Sequence, residues 1–198
     1  MRDQPNREAL DATLAGLVGR TVTGVGYWDI HNYGAEPQVW DHGSWHIAVM
    51  GVELGTDAGP VTIAWNRGVP WIQVLRDPMA RHLRVDAGEV GPHRIGPDGP
   101  SAWDALLDHP IRAARATWGM MTFGPSRSQD GTVVEPGYDL HFPVAVRVDF
   151  DGGAVWFVAA LPCYELDKPL TLDRATVPGD EIVVTFDERT VAGLGIQP

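Results

Sequence analysis

A single cysteine, Cys163, stands in 198 residues, so the chain closes no intrachain disulfide and suits a reducing compartment. Basic residues are scarce as well: 15 Lys and Arg face 26 Asp and Glu, a formal net charge of -11. Nucleic acid and anionic membrane are therefore disfavoured as partners, because binding to either draws on Lys and Arg displacing counterions. Long hydrophobic runs are missing. The longest, Ala154 to Pro162, falls far short of the roughly 18 residues that a membrane-spanning helix needs. The polar start Met1-Arg-Asp-Gln-Pro-Asn-Arg-Glu lacks the apolar stretch of a secretory signal. A cytoplasmic protein is expected.

Several chemical signatures are absent too. The chain has no G-x-G-x-x-G after a strand, no G-x-x-x-x-G-K-S/T, no H-E-x-x-H, no C-x-x-C and no G-x-S-x-G. Nucleotide-cofactor chemistry and the common hydrolase mechanisms lose support, and no cofactor is expected.

What is present reads as a globular chain, with 44% hydrophobic and 21% charged residues, a balance that supports a folded core rather than disorder. Its length suits one compact domain. Leu10, Leu14 and Leu17 fall at helical spacing between a capping Asn6 and a terminating Gly19. The period then changes to two over Val22 to Asp29, which predicts a strand. After a loop from His31 to about Trp45, the runs Ile47 to Thr56 and Val61 to Asn66 predict a hairpin turning at Asp57-Ala58-Gly59-Pro60, and Trp71 to Leu75 a further strand.

A Pro/Gly-rich connector, 78–100, leads to Ser101, which caps a short helix carrying Trp103, Leu106 and Leu107, with Asp104 answering the cap. The earlier order then recurs: strand Ile111 to Trp118, loop Gly119 to Pro143, hairpin Val144 to Ala160 turning at Asp151-Gly152-Gly153, and strand Glu181 to Phe186.

At an offset of 89, Leu17 and Val22 match Leu106 and Ile111. At 94, Val52, Leu54, Asp57, Gly59, Val61 and Ile63 match Val146, Val148, Asp151, Gly153, Val155 and Phe157. At 110, Ile72 and Val74 match Ile182 and Val184. The drift places an insertion between Ala160 and Gly179. The expected fold is α+β, mainly antiparallel β, with two internally duplicated helix-plus-sheet units, 1–77 and 101–198, packed together or sharing a sheet. The inserted segment 161–179, with Pro162, Pro169 and Pro178, is expected to be the least regular part. Edge strands of such duplicated sheets leave room for a homodimer.

The segments Tyr138-Asp-Leu-His-Phe-Pro, Val146-Arg-Val-Asp-Phe-Asp-Gly-Gly and Gly179-Asp-Glu-Ile-Val-Val-Thr-Phe-Asp-Glu, with Gly51-Val-Glu-Leu-Gly-Thr-Asp-Ala-Gly and Ile63-Ala-Trp in the first half, resemble a group of uncharacterised small bacterial proteins. As a class these look like the acidic, single-domain immunity or accessory proteins of bacterial toxin systems. The resemblance implies binding to a partner and carries over no catalytic residue.

Two Asp-x-His pairs, Asp29 with His31 and Asp139 with His141, place a carboxylate and an imidazole on one strand face, the geometry of an acid/base dyad; the alternative is a pair of solvated strand ends. The loop Trp40-Asp41-His42-Gly43-Ser44-Trp45-His46 gathers metal-donor types, but Gly43 opposes the helix that would align the histidines. No metal is expected. Cys163 sits beside Glu165 and Asp167, which would raise rather than lower its thiol pKa. Trp28, Trp65, Trp71, Trp118 and Trp156 fall on strands and are expected in the core, whereas Trp40, Trp45 and Trp103 lie in or beside loops.

Charge is uneven. From Ser128 to Pro198 there are 12 acidic and 4 basic residues, a net of -8, a field suited to steering a basic partner. The expected function is that of an acidic, non-enzymatic binding protein engaging a basic protein through Trp40, Trp45, Tyr164, Glu165, Asp167, Asp173, Asp180, Glu181, Asp187 and Glu188. The alternative is a cofactor-independent isomerase or cyclase acting on a small organic molecule between the sheets, with Asp29, His31, His46, Asp139 and His141 as acid/base groups.

Overall fold

The Asn6 side chain accepts the Ala9 N–H at 3.0 Å and so starts helix α1 (Arg7–Ala15), whose Leu14, with Leu17 just beyond its end, is buried under the sheets. The computed structural model describes residues 5–29, 39–66, 69–82, 93–165 and 168–197. In chain order the strands are β1 (Val22–Asp29), β2 (Trp45–Ala48), β3 (Gly51–Thr56), β4 (Val61–Asn66), β5 (Val69–Leu75), β6 (His93–Gly96) and β7 (Ile111–Phe123). They continue with β8 (Ser126–Arg127), β9 (Val133–Glu135), β10 (Tyr138–Phe150), β11 (Gly153–Ala159), β12 (Leu161–Cys163), β13 (Thr171–Thr176) and β14 (Ile182–Thr185), before helix α2 (Glu188–Gly193). All described pairings are antiparallel. One five-stranded sheet runs β5-β4-β3-β1-β6, the other β2-β14-β11-β10-β7, and β12-β13 and β8-β9 form small ribbons.

The duplication is visible in the register. Pairs Val22↔Thr56, Val25↔Leu54 and Tyr27↔Val52 in the first sheet recur in the second as Ile111↔Phe150, Ala114↔Val148 and Ala116↔Val146. Leu54↔Val61 and Val52↔Ile63 recur as Val148↔Val155 and Val146↔Phe157, and Ile63↔Val74 as Phe157↔Val184. Even the bulge after Val22 has its counterpart after Ile111; the extra residue lets Val22 and then Val25 and Tyr27 all face inward. Gly19 and Asp108, again 89 apart, both adopt positive φ, at 84° and 62°. Each donates its N–H across to the other unit at 2.8 Å, Gly19 to the Ile111 carbonyl and Asp108 to the Val22 carbonyl. The bridge Thr21↔Pro110 lies between these two bonds, so the units meet about a pseudo-two-fold axis.

The inward faces of both sheets share one core, including Val52, Leu54, Ile63, Val146, Val148 and Phe157. Alternate residues of the second sheet, such as Trp156, Val158 and Val183, build a second core on its outer face beneath α2, β13 and the chain's end. Two cores explain why β11 is apolar at successive positions rather than alternately.

Several expectations need correction. The run Ile47 to Thr56 is broken at Val49–Met50, because β2 crosses to pair with β14 in the second sheet. The connector contributes β6, which pairs with β1. The helix after Ser101 is a single 3-10 turn, Ala102–Ala105, although the capping box with Asp104 forms. Residues 119–143 are not a loop: β7 and β10 continue as a paired ribbon, with Met121, Leu140 and Phe142 on one face and Phe123 stacked on Tyr138 at 4.8 Å. The inserted segment is more regular than expected as well, since β12 pairs with β13 and Leu170, Leu172 and Val177 pack against the outer core. Among the described residues no helix is long and apolar enough to cross a membrane.

Candidate functional site at the acidic end of the sheets

Two polar clusters lie where the units meet, and each contains a tyrosine. In the first, Trp103 Nε1 donates to Tyr27 Oη at 2.6 Å, and Tyr27 Oη lies 2.7 Å from His46 Nδ1. Indole N–H only donates, so the phenol accepts from Trp103 and passes its own proton toward His46 Nδ1. The neutral imidazole then carries its proton on Nε2, facing Asp41 Oδ1 at 3.8 Å. Trp40 packs edge-on against both rings, 5.5 Å from Tyr27 and 5.0 Å from His46, and Phe186 closes the other side at 5.4 Å. Burial, partly offset by the Asp41 charge, lowers the His46 pKa, and burial raises that of Tyr27. Neither residue reaches solvent, so the string satisfies buried groups and joins β1, β2 and the 3-10 turn.

The second cluster is at the end of β1 and the start of β14. Tyr164 Oη donates to both carboxylate oxygens of Glu181 at 2.9 Å. Asp29, the last residue of β1 and only 1% exposed, and Asp180 both act electrostatically on this pair. Burial, reinforced by those two carboxylates, pushes Glu181 up to about 7 despite the hydrogen bond from Tyr164, which opposes the rise. The Tyr164 phenol is raised by burial and by Glu181. Beside it a cleft of about 470 Å³ is lined by Val39, His42, Ile47, Tyr164, Lys168 and Leu170. Negative charge contributed by both units thus gathers at one end, next to apolar wall.

The remaining sequence candidates are scattered. Asp139 and His141 are exposed on the outer face of the β7/β10 ribbon, where Asp139 accepts from Thr122 Oγ1 at 2.7 Å and His141 sits opposite Met120. The five acid/base candidates are therefore not one constellation: His46 is in the core, Asp29 at the acidic end, the Asp139/His141 pair on the ribbon, and His31 outside the described residues. Trp40 and Trp45, expected as exposed contacts, are drawn inward: Trp40 packs on Tyr27 and His46, while Trp45 is buried with His42 stacked on it at 4.3 Å. Glu165 is neutralised by Lys168 and Arg174, which hold its carboxyl below the usual range. Asp187 caps α2 through the Arg189 N–H, and Glu188 faces Arg147 at 3.7 Å. Asp173 is exposed on β13, and Asp167 lies outside the described residues. Among the described residues no three His, Cys, Asp or Glu side chains form a group able to hold a metal ion.

Of the ten expected contact residues, Tyr164, Asp180 and Glu181 are thus brought together, and Asp29 joins them from the other candidate set. Tyr27 and Trp103 are not among the site residues expected from the sequence. Tyr27 lies two residues before Asp29 in an alternating strand, which was the available signal that both face one way. No family model, no curated protein and no solved structure matches the chain, so the reading of function rests on this geometry.

Proposed function

We propose that this is a non-enzymatic binding protein, of cytoplasmic setting, that accepts a basic partner at the acidic end formed by Asp29, Tyr164, Asp180 and Glu181. The convergence of carboxylates from both units around a half-exposed tyrosine supports the reading. A lysine or arginine of the partner would lay its aliphatic stem along Val39, which is 69% exposed, and the Tyr164 ring, with its charged head at Glu181. A carboxyl that ordinarily holds its proton to about 7 gives up that proton when a cation arrives, so affinity falls as the solution is acidified below neutrality.

The dispersal of the described acid/base candidates, with His46 in the core, Asp29 at the acidic end and Asp139 and His141 on the ribbon, favours this reading over the isomerase or cyclase. The experiment is a titration with a hexa-arginine peptide. Wild-type protein should bind it with one-to-one stoichiometry, and Glu181→Gln combined with Asp180→Asn should weaken it by about tenfold. Removing the same charge elsewhere, by Glu135→Gln and Asp173→Asn, should have little effect. Equal weakening by both pairs would leave only a diffuse field and remove the site.

A further inference from the structure

The two units differ at one place that the pseudo-symmetry makes conspicuous. In the first sheet the outer edge of β1 is covered by β6, which pairs with Tyr27, Trp28 and Asp29. At the offset of 89 these correspond to Ala116, Thr117 and Trp118 of β7. Among the described residues β7 is the last strand of its sheet, and nothing pairs there. The fifth strand of that sheet, β2, lies instead beside β14, at the opposite edge.

We propose that a second copy of this chain fills the vacant place, the two β7 strands pairing antiparallel about a two-fold axis to make one continuous sheet. Natural proteins blunt free edges with short strands, proline or charge. Here β2 and β6 have four residues each, and β5 carries Pro70. In contrast β7 has 13 residues, and its stretch Ala116-Thr-Trp-Gly-Met-Met-Thr-Phe123 has neither proline nor charge. Met120 on this stretch is 59% exposed. Beside it runs a groove of about 390 Å³ lined by Thr117, Trp118, Met120, Phe142, Val144 and Ile196.

Charge selects the occupant. Two copies of a chain with net charge -11 repel on average, but not along an uncharged strand whose neighbours Arg112 and Arg115 are already paired with Asp151 and Asp149 and where Arg7 adds a positive charge over the Trp118 ring at 4.5 Å. The strand is also self-complementary. With Gly119 on the axis, Trp118 of each copy faces Met120 of the other, a favourable sulfur–aromatic contact. Arg115 then lies opposite Phe123 and not opposite its own equivalent. An isologous contact of this kind closes on itself and stops at two copies.

Sedimentation equilibrium of the intact protein tests this. Wild type should run at twice the 21.5 kDa of one chain, and should still do so as salt is raised, unlike binding at the acidic end. Met120→Lys and, one pair further along the same face, Thr122→Lys should each restore the single mass with the circular dichroism of the folded chain intact and a thermal midpoint that no longer depends on protein concentration, while Val134→Lys should leave the doubled mass unchanged. A wild-type protein that stays at 21.5 kDa at its highest soluble concentration, or Met120→Lys and Thr122→Lys variants that both remain doubled, would overturn the proposal.

Discussion

Tyr27 and Tyr164 are the same residue type, each in a polar cluster where the two units meet, and the fold puts them to different uses. Tyr27 is enclosed, with one neutral donor and one neutral acceptor on its hydroxyl. Tyr164 is 57% exposed and presents its hydroxyl to a carboxylate that has two more carboxylates near it. A buried polar group whose every bond is made contributes rigidity and a unique packing. A half-buried carboxylate surrounded by its own kind costs stability, and that cost is removed by a cation from outside. The first polar cluster serves the fold; the second is the one to which the proposed function assigns a partner.

The largest effect should come from breaking the first cluster. Tyr27→Phe leaves the Trp103 N–H and His46 Nδ1 buried without partners, and should destabilise the protein by about 2–4 kcal/mol in urea unfolding. A loss below about 0.5 kcal/mol would show that the string is not structural.

Breaking the second cluster should have the opposite sign. The folded chain holds the Glu181 proton to about pH 7, whereas the unfolded chain releases it near 4.5. Between those values the folded state carries more protons, so this group makes stability fall as pH rises through the window. Glu181→Gln keeps an acceptor for Tyr164 and removes the charge. It should stabilise the protein by roughly 1–2 kcal/mol above pH 7, discounted for partial exposure, with the gain vanishing toward pH 4.5. Urea midpoints measured across that range check both sign and window. His46 acts in the other direction: its folded pKa lies below the ordinary 6.5, so its contribution is lost as pH falls beneath that value.

The smallest effect belongs to Tyr164→Phe. Half of this side chain is in solvent, so stability should change by less than about 1 kcal/mol. Losing the hydroxyl should nevertheless move the Glu181 carboxyl still higher, because the hydrogen bond is what holds it down. Carbon-detected NMR titration of the carboxyl group would show this, and a downward movement would contradict the assigned partner.

Much of the architecture was legible because it is written in alternation and repeated. The hairpin matches at offset 94 reappear as the same cross-strand pairs, Val52↔Ile63 and Val146↔Phe157. Less legible were features that depend on which strand lies beside which. Nothing local says that Trp45–Ala48 joins the other unit's sheet, and that crossing is what carries His46 to Tyr27. Trp103, expected beside a loop, is fully buried, while among the strand tryptophans expected in the core Trp71 and Trp156 are buried and Trp28, Trp65 and Trp118 only partly so, Trp65 against the shared core; strand membership does not say which face the second core covers. The acidic end was legible in part. Asp180 and Glu181 were singled out from the charge excess of the second half, but their meeting with Asp29 is a product of the pseudo-two-fold packing. Ion pairs hid the rest: Glu165 looks like a free charge until Arg174, on the opposing strand of the small ribbon, is brought beside it.

In the proposed function Glu181 is the carboxyl that a partner's cation meets. The direct measurement is the NMR titration of the Glu181 carboxyl carbon with and without saturating hexa-arginine peptide. The midpoint should lie at about 7 in the free protein and drop to the ordinary carboxylate range when the peptide is bound. Binding that leaves this midpoint where it was, while shifting signals elsewhere on the surface, would contradict it.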